Sequence, residues 1–367
     1  MNPFNWLPPT AVFDVFNVHL RPSWTTSFGA AVSLLRTAAR HLPRSVEAVR
    51  LFSDFSVPSW LPTLPKNVKV FKRKYGVWFV PADGSSPSPL HILYFHGGAF
   101  CLCTPESHTG ILMRLVEETG AQIYAPSYRR PPESPFPVPV DDCVAAYEHL
   151  LNTLAVDPAY IVFAGDSAGG GLAVQAIFAA RKKGLPLPAG AMLLSPWVDL
   201  TDEETSDSWE RNARYDYLPA DLATLFAHMY KGDASWDDVC PTRAPREDLA
   251  SLPPLLLEVG ECEVLHDQII KFAAKCIDAG VVVDVNVRRD MVHVFQMFAA
   301  TGVPQCGESY AAMGAFCRRV TGTGNRPSPV VDTPLMGAKD AADHQEEGQQ
   351  VATASTEGEE DDDEDVK

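Results

Sequence analysis

Positive charge is scarce in this sequence: 30 Lys and Arg stand against 47 Asp and Glu in 367 residues. Such a balance repels phosphate, and no basic patch with interleaved aromatics offsets it, so a nucleic-acid partner is excluded. The excess is local. Residues 339–367 hold twelve acids and two lysines, or −10 of the formal −17, which leaves −7 for the rest. Long apolar runs are also missing. No stretch reaches the ~18 residues of a membrane span, and Met1–Pro9 has no basic start followed by an apolar core of the signal-peptide kind. The expectation is a soluble, cytoplasmic protein without stable membrane insertion. Trp6, Phe13 and Phe16 are read as packing on the same protein. The eight cysteines include no CxxC pair and no regular spacing. Reduced, mostly buried thiols are expected, with no metal site and no disulfide framework. Cys101 and Cys103 are too close for an easy bridge. Internal repeats are absent.

What is present is an alternation of short apolar runs and helical patterns. Ser27–Leu42 has apolar residues at helical spacing and stops at Pro43. Asn67–Pro81 alternates as strands, with Gly76 at the expected turn of a hairpin. Leu90–Phe95 reads as a strand, Ser107–Thr119 as a helix and Ala121–Ser127 as a strand. Five prolines between Arg129 and Pro139 exclude regular structure there, and a helix over Asp141–Leu154 follows. Tyr160–Ala164 is a strand, Leu172–Ala180 a helix and Ala189–Leu194 a strand. Asp202–Asp238 interrupts the alternation as a polar segment, partly helical near Leu222–Tyr230. Pro253–Val259, Leu265–Ala279, Val281–Val287 and Tyr310–Val320 resume it as strand, helix, strand and helix. This order predicts a mostly parallel sheet flanked by helices, with functional loops at the carboxyl ends of its strands. Past about Thr321 the composition turns to Gly, Pro, Ser, Thr, Gln and acids, too polar to bury a core, so 321–367 is read as a disordered acidic tail.

The chemistry clusters at strand ends. Gly165-Asp166-Ser167-Ala168-Gly169-Gly170 lies between a strand and a helix, the setting of a nucleophile elbow, where small residues two before and two after the serine make room for a sharp turn. A serine needs a base. Of ten histidines, His293 is best placed, on the loop after the last strand; His228 lies in the inserted segment, His266 in a helix and His344 in the tail. The base needs an orienting acid. Glu263 follows the strand Pro254–Val259, giving the order Ser167, Glu263, His293. Asp267 competes but falls in a helix, where capping or an ion pair is the expected role, and Glu261 should face solvent. The His96-Gly97-Gly98-Ala99 loop after another strand offers backbone N–H groups for an oxyanion, and Ala168 offers one from the elbow.

With these motifs in hand, the chain resembles the hormone-sensitive-lipase-like branch of the α/β-hydrolases, which includes many microbial and fungal carboxylesterases. The likeness covers roughly residues 65–320. It rests on His96-Gly97-Gly98-Ala99-Phe100, Tyr128-Arg129-Arg130-Pro131-Pro132-Glu133 with Pro137 and Asp142, the elbow, Ser195-Pro196-Trp197-Val198-Asp199-Leu200, and Gly260 through Glu263 and Asp267 to His293-Val294-Phe295. The resemblance implies an α/β-hydrolase fold with a helical cap built from residues 1–60 and an insertion at about 202–238 on a catalytic domain over 61–320. It implies Ser167 as nucleophile, Glu263 as acid and His293 as base, and an oxyanion hole drawn from Gly97, Gly98, Ala99 and Ala168. No cofactor and no metal are called for. Three departures stand out: Ala99 where a third glycine is usual, Glu263 where aspartate is usual, and Val294 where glycine follows the histidine. The expected reaction is hydrolysis of carboxylic esters, short-acyl or acetyl, through an acyl-enzyme, with a small-molecule ester as partner. Amide, lactone or thioester cleavage stays open, as does the oligomeric state, a homodimer included. A non-catalytic receptor on the same fold is the other alternative; the presence of His293 argues against it.

Overall fold

The structure is a computed structural model that describes residues 20–41, 45–55, 65, 67–82, 88–201 and 206–323. Residues 324–367 of the expected acidic tail, the first nineteen residues and part of the inserted segment, 202–205, lie outside the described residues.

Among the described residues eight strands form one sheet in the order β1-β2-β4-β3-β5-β6-β7-β8. They are β1 (Val68–Arg73), β2 (Gly76–Pro81), β3 (His91–Phe95), β4 (Gln122–Pro126), β5 (Ile161–Asp166), β6 (Gly190–Leu194), β7 (Leu255–Gly260) and β8 (Val283–Arg288). β1 and β2 pair antiparallel, β2 runs antiparallel to β4, and the other neighbours are parallel. The mostly parallel sheet expected from the alternation is therefore borne out. β5 is buried at every residue, as a central strand covered on both faces must be. Alternate side chains of the central strands feed two cores on opposite faces. Phe95, Phe163 and Leu193 pack with Tyr147 and the helices Val138–Glu148 and Ala168–Lys182. Tyr94, Ala164 and Met192 pack with Met313 and Phe316 of helix Pro304–Thr321. All eight cysteines are free thiols, Cys103 half-buried and the others buried.

Some boundaries differ from those expected. The helix expected from Asp141 starts at Val138, because Pro139 in a first turn sacrifices no intrahelical N–H bond. The last helix begins at Pro304 rather than Tyr310, for the same reason. Gly76 does not make the hairpin turn; it opens β2. A Cβ there would lie 2.5 Å from the Ala125 carbonyl oxygen of β4, so the glycine permits close pairing between strands. The inserted segment holds helices Asp207–Asn212, Ala220–Lys231 and Trp236–Val239. Helices Thr26–His41 and Val46–Phe55 precede the sheet. The first packs its Phe28 and Val32 against Phe295 and Phe298, and the second its Val46 and Val49 against Leu222 and Phe226 of the insertion.

Candidate active site

Ser167 stands between β5 and the helix Ala168–Lys182 at φ +52°, ψ −123°. This is a strained backbone for a residue with a side chain. Its neighbours make the turn possible. A Cβ on Gly169 would lie 2.0 Å from the Phe95 carbonyl oxygen, and one on Gly165 would lie 2.4 Å from the Gly169 carbonyl oxygen. Glycine is thus required by close approach of the helix start to β3. Backbone bonds fix the elbow: Ser167 N–H donates to Leu194 O and Trp197 N–H donates to Ser167 O, both at 2.8 Å.

The segment after β6 also reaches the histidine loop. The Ser195 hydroxyl oxygen accepts from Val294 N–H at 3.0 Å. Ser195 to Trp197 therefore tie the loop of His293 to the elbow of Ser167, which accounts for a motif whose purpose was not evident in the sequence. Val294 itself sits in the left-handed region at φ +42°, where a β-branched residue is unusual.

His293 and Glu263 come together. Nδ1 of His293 lies 3.6 Å from Oε2 of Glu263, and their side chains are 3% and 0% exposed. That spacing suits an ion pair but exceeds a hydrogen bond. Among the described residues, neither Glu263 carboxylate oxygen nor His293 Nδ1 has a hydrogen-bond partner. Buried polar atoms left unpaired are costly and call for a reason. Asp267 is occupied elsewhere: it accepts from Ser208 N–H at 3.0 Å and pairs with Arg211 at 2.8 Å. Glu261 is half-exposed and accepts from Asp290 N–H. Glu261, Cys262 and Asp290 bring potential metal-ligand atoms within 4.8 Å of one another, but the Arg21 guanidinium occupies Asp290 at 2.7 Å.

Gly97 departs from its expected place among the oxyanion donors. Its N–H already donates to Asp166 Oδ1 at 3.0 Å, so it anchors the loop instead. No described residue accepts from the N–H groups of Gly98, Ala99 or Ala168. Asp166, the residue before the nucleophile candidate, also accepts from the Tyr94 hydroxyl at 2.8 Å and meets His108 at 3.2 Å. Burial alone would raise its carboxyl, but His108 and Tyr94 outweigh that and hold it below the usual range. His96 is pushed down to about 3 by burial and by neighbouring His108. Its neutral ring stacks on Tyr128, whose hydroxyl donates to His96 O at 2.8 Å.

Asp216 was missed in the sequence. It comes from the insertion, is 2% exposed, and accepts from the N–H groups of Val264 (2.7 Å), Tyr217 (2.9 Å) and His293 (3.2 Å). One carboxylate thus grips the acid loop and the histidine loop by their backbones. Burial pushes it up to about 6, against the pull of His293 and Val264 N–H, with Glu263 nearby adding to the rise. The native state therefore binds this proton more readily than the unfolded chain, whose aspartates titrate near ~3.9. Its contribution to stability falls as pH rises through about 6 and recovers towards about 4. Thermal melts should show the margin of the parent over Asp216→Asn growing as pH drops from neutral into that window. A margin independent of pH would count against this account.

The family described as alpha/beta hydrolase fold matches residues 92–297. The chain belongs to this family. An acetyl-hydrolase from Streptomyces hygroscopicus is 41% identical over 280 residues, covering 76% of this chain and 88% of that one. An esterase from Acinetobacter venetianus is 32% identical over 228 residues, covering 61% and 73%. The crystal structure of an esterase from the bacterial hormone-sensitive lipase family matches with a TM-score of 0.73 at 31% identity, over 81% of this chain and 99% of that one. For this α/β-hydrolase, the hormone-sensitive-lipase-like branch expected from the sequence is borne out. Among the described residues no helix is long and apolar enough to cross a membrane.

Proposed function

We propose that this α/β-hydrolase cleaves short-acyl carboxylic esters, acetyl esters among them, through an acyl-enzyme on Ser167. Ser167 Oγ attacks the ester carbonyl carbon while His293 Nε2 takes its proton. The resulting imidazolium keeps its Nδ1–H towards Glu263, whose buried charge stabilises it. The oxyanion receives N–H groups of Gly98, Ala99 and Ala168. As the tetrahedral intermediate collapses, the carbon–oxygen bond to the alcohol breaks and His293 returns the proton to the departing oxygen. Water, deprotonated by the same imidazole, then releases the acid and restores the serine.

The observation that supports this reading best is the unpaired, buried Glu263–His293 couple. A carboxylate and an imidazole kept dry and short of a hydrogen bond make sense when the ring gains charge during the reaction and the contact tightens then. For short acyl groups, support comes from the apolar side chains that crowd the loop: Ala99 and Leu102 pack with Leu222, Phe226 and Val49. The acetyl-hydrolase relative agrees with that direction. The test is kcat/KM across p-nitrophenyl esters of increasing acyl length. The acetate is expected to be cleaved and the longest chains to be cleaved poorly. Preference for long chains would refute the acyl assignment, and a folded protein inert to every ester would refute the reaction.

A further inference from the structure

The loop assigned to the oxyanion has a strained backbone. Gly98, Ala99 and Phe100 follow one another at φ +108°, +50° and +64°, and Cys103 stands at +65°. Each left-handed residue with a side chain costs about 1 kcal/mol or more, so the segment persists only where its surroundings hold it. On the sheet side Asp166 takes Gly97 N–H, and the Phe100 ring lies flat on Tyr230 with centroids 3.7 Å apart. On the outer side two guanidinium groups hold the backbone carbonyls. Arg50 donates from Nε to Cys101 O at 2.8 Å, from Nη2 to Pro131 O, and from Nη1 and Nη2 to the Glu133 carboxylate at 2.8 and 3.0 Å. Arg130 donates to Cys103 O and meets the Asp54 carboxylate at 3.2 Å. Cys103 N–H reaches Ser53 Oγ at 3.4 Å. Arg50, Ser53 and Asp54 are spaced i, i+3 and i+4 on helix Val46–Phe55 and so share one face.

We propose that Arg50 is a positioning residue for ester hydrolysis, setting the Gly98–Cys103 backbone through the Cys101 carbonyl so that the N–H groups of Gly98 and Ala99 converge. This rests on the proposed role of that loop as oxyanion hole. Helix Val46–Phe55 then acts as a brace for reacting backbone as well as a cover. The planar fork of arginine suits the task, because it meets Cys101 O, Pro131 O and Glu133 in fixed directions; a lysine ammonium cannot reach all three.

Full-length Arg50→Ala and Arg50→Lys test it. With p-nitrophenyl acetate, kcat should fall about tenfold to a hundredfold in both, the range expected when reacting groups shift by about 1 Å, with KM little changed. Millimolar guanidinium should restore much of the rate to Arg50→Ala and none to Arg50→Lys. Hydrogen exchange over residues 97–104 should speed up in both variants and slow again in Arg50→Ala with guanidinium. Parental kcat and parental exchange in either folded variant would overturn the inference. Arg50→Lys keeps the charge opposite Glu133, so it decides the matter if Arg50→Ala does not fold. If the parent hydrolyses no ester, the functional reading fails alone. The exchange measurement then still decides on Arg50: faster exchange supports it, unchanged exchange refutes it.

Discussion

Arg-to-backbone bracing is a modest effect beside the loss of the base: His293→Ala should lower kcat for p-nitrophenyl acetate by at least about a thousandfold, and up to about a millionfold as in other serine hydrolases stripped of their base. The reason is chemical. At neutral pH a serine hydroxyl holds its proton, and no other imidazole is placed on the loop that Ser195 and Asp216 anchor beside the elbow. The loss should be confined to kcat, since the side chain carries no expected contact with the bound acyl group. The fold should survive. The anchors of this loop use backbone N–H groups of His293 and Val294, which alanine retains. Steady-state kinetics with a thermal melt separate the two effects. A variant that melts like the parent and keeps more than a tenth of its kcat would refute His293 as base.

Gly169→Ala should be the most damaging single methyl in the described residues. The added carbon would sit 2.0 Å from the Phe95 carbonyl oxygen and 2.6 Å from that of His96. These are backbone atoms at the end of β3, so no rotamer change relieves the clash; the elbow or the strand must move. Overpacking of this kind costs about 3 kcal/mol or more. In a domain of this size that lowers Tm by roughly 6 °C or more. Any fraction that folds should be slow as well, because the displaced strand end leads directly into the Gly97–Ala99 loop. Differential scanning calorimetry and the acetate assay check both. A Tm within about 2 °C of the parent, the shift expected for less than about 1 kcal/mol, would show that the helix start does not approach β3 so closely.

The elbow was legible in the sequence because its requirements are steric and local: a strand, a serine flanked by glycines at the right spacing, and a helix. His293 and Glu263 were legible through the alternation, which put each just past a strand without any knowledge of distance. Asp216 was not. Two of its three partners are backbone N–H groups 48 and 77 residues away in sequence, and backbone donors leave no mark in a residue pattern. The same holds for the two bonds of Arg50 to the Cys101 and Pro131 carbonyls. Gly97 was misjudged because its motif advertises a free N–H, whereas Asp166, visible only as part of the elbow, consumes it. The helix start at Val138 differs from the expected one because the prolines up to Pro139 read as breakers, whereas Pro139 serves as a first-turn residue.

In the proposed reaction Ser167 is the nucleophile that takes up the acyl group, activated by His293. The most direct measurement is covalent: incubate the folded protein with a fluorophosphonate, digest it and locate the adduct by mass spectrometry. One phosphonyl group should appear on the peptide carrying Ser167, it should vanish in Ser167→Ala, and hydrolysis of p-nitrophenyl acetate should vanish with it. An adduct on another residue, or hydrolysis at the parental rate by Ser167→Ala, would contradict the account.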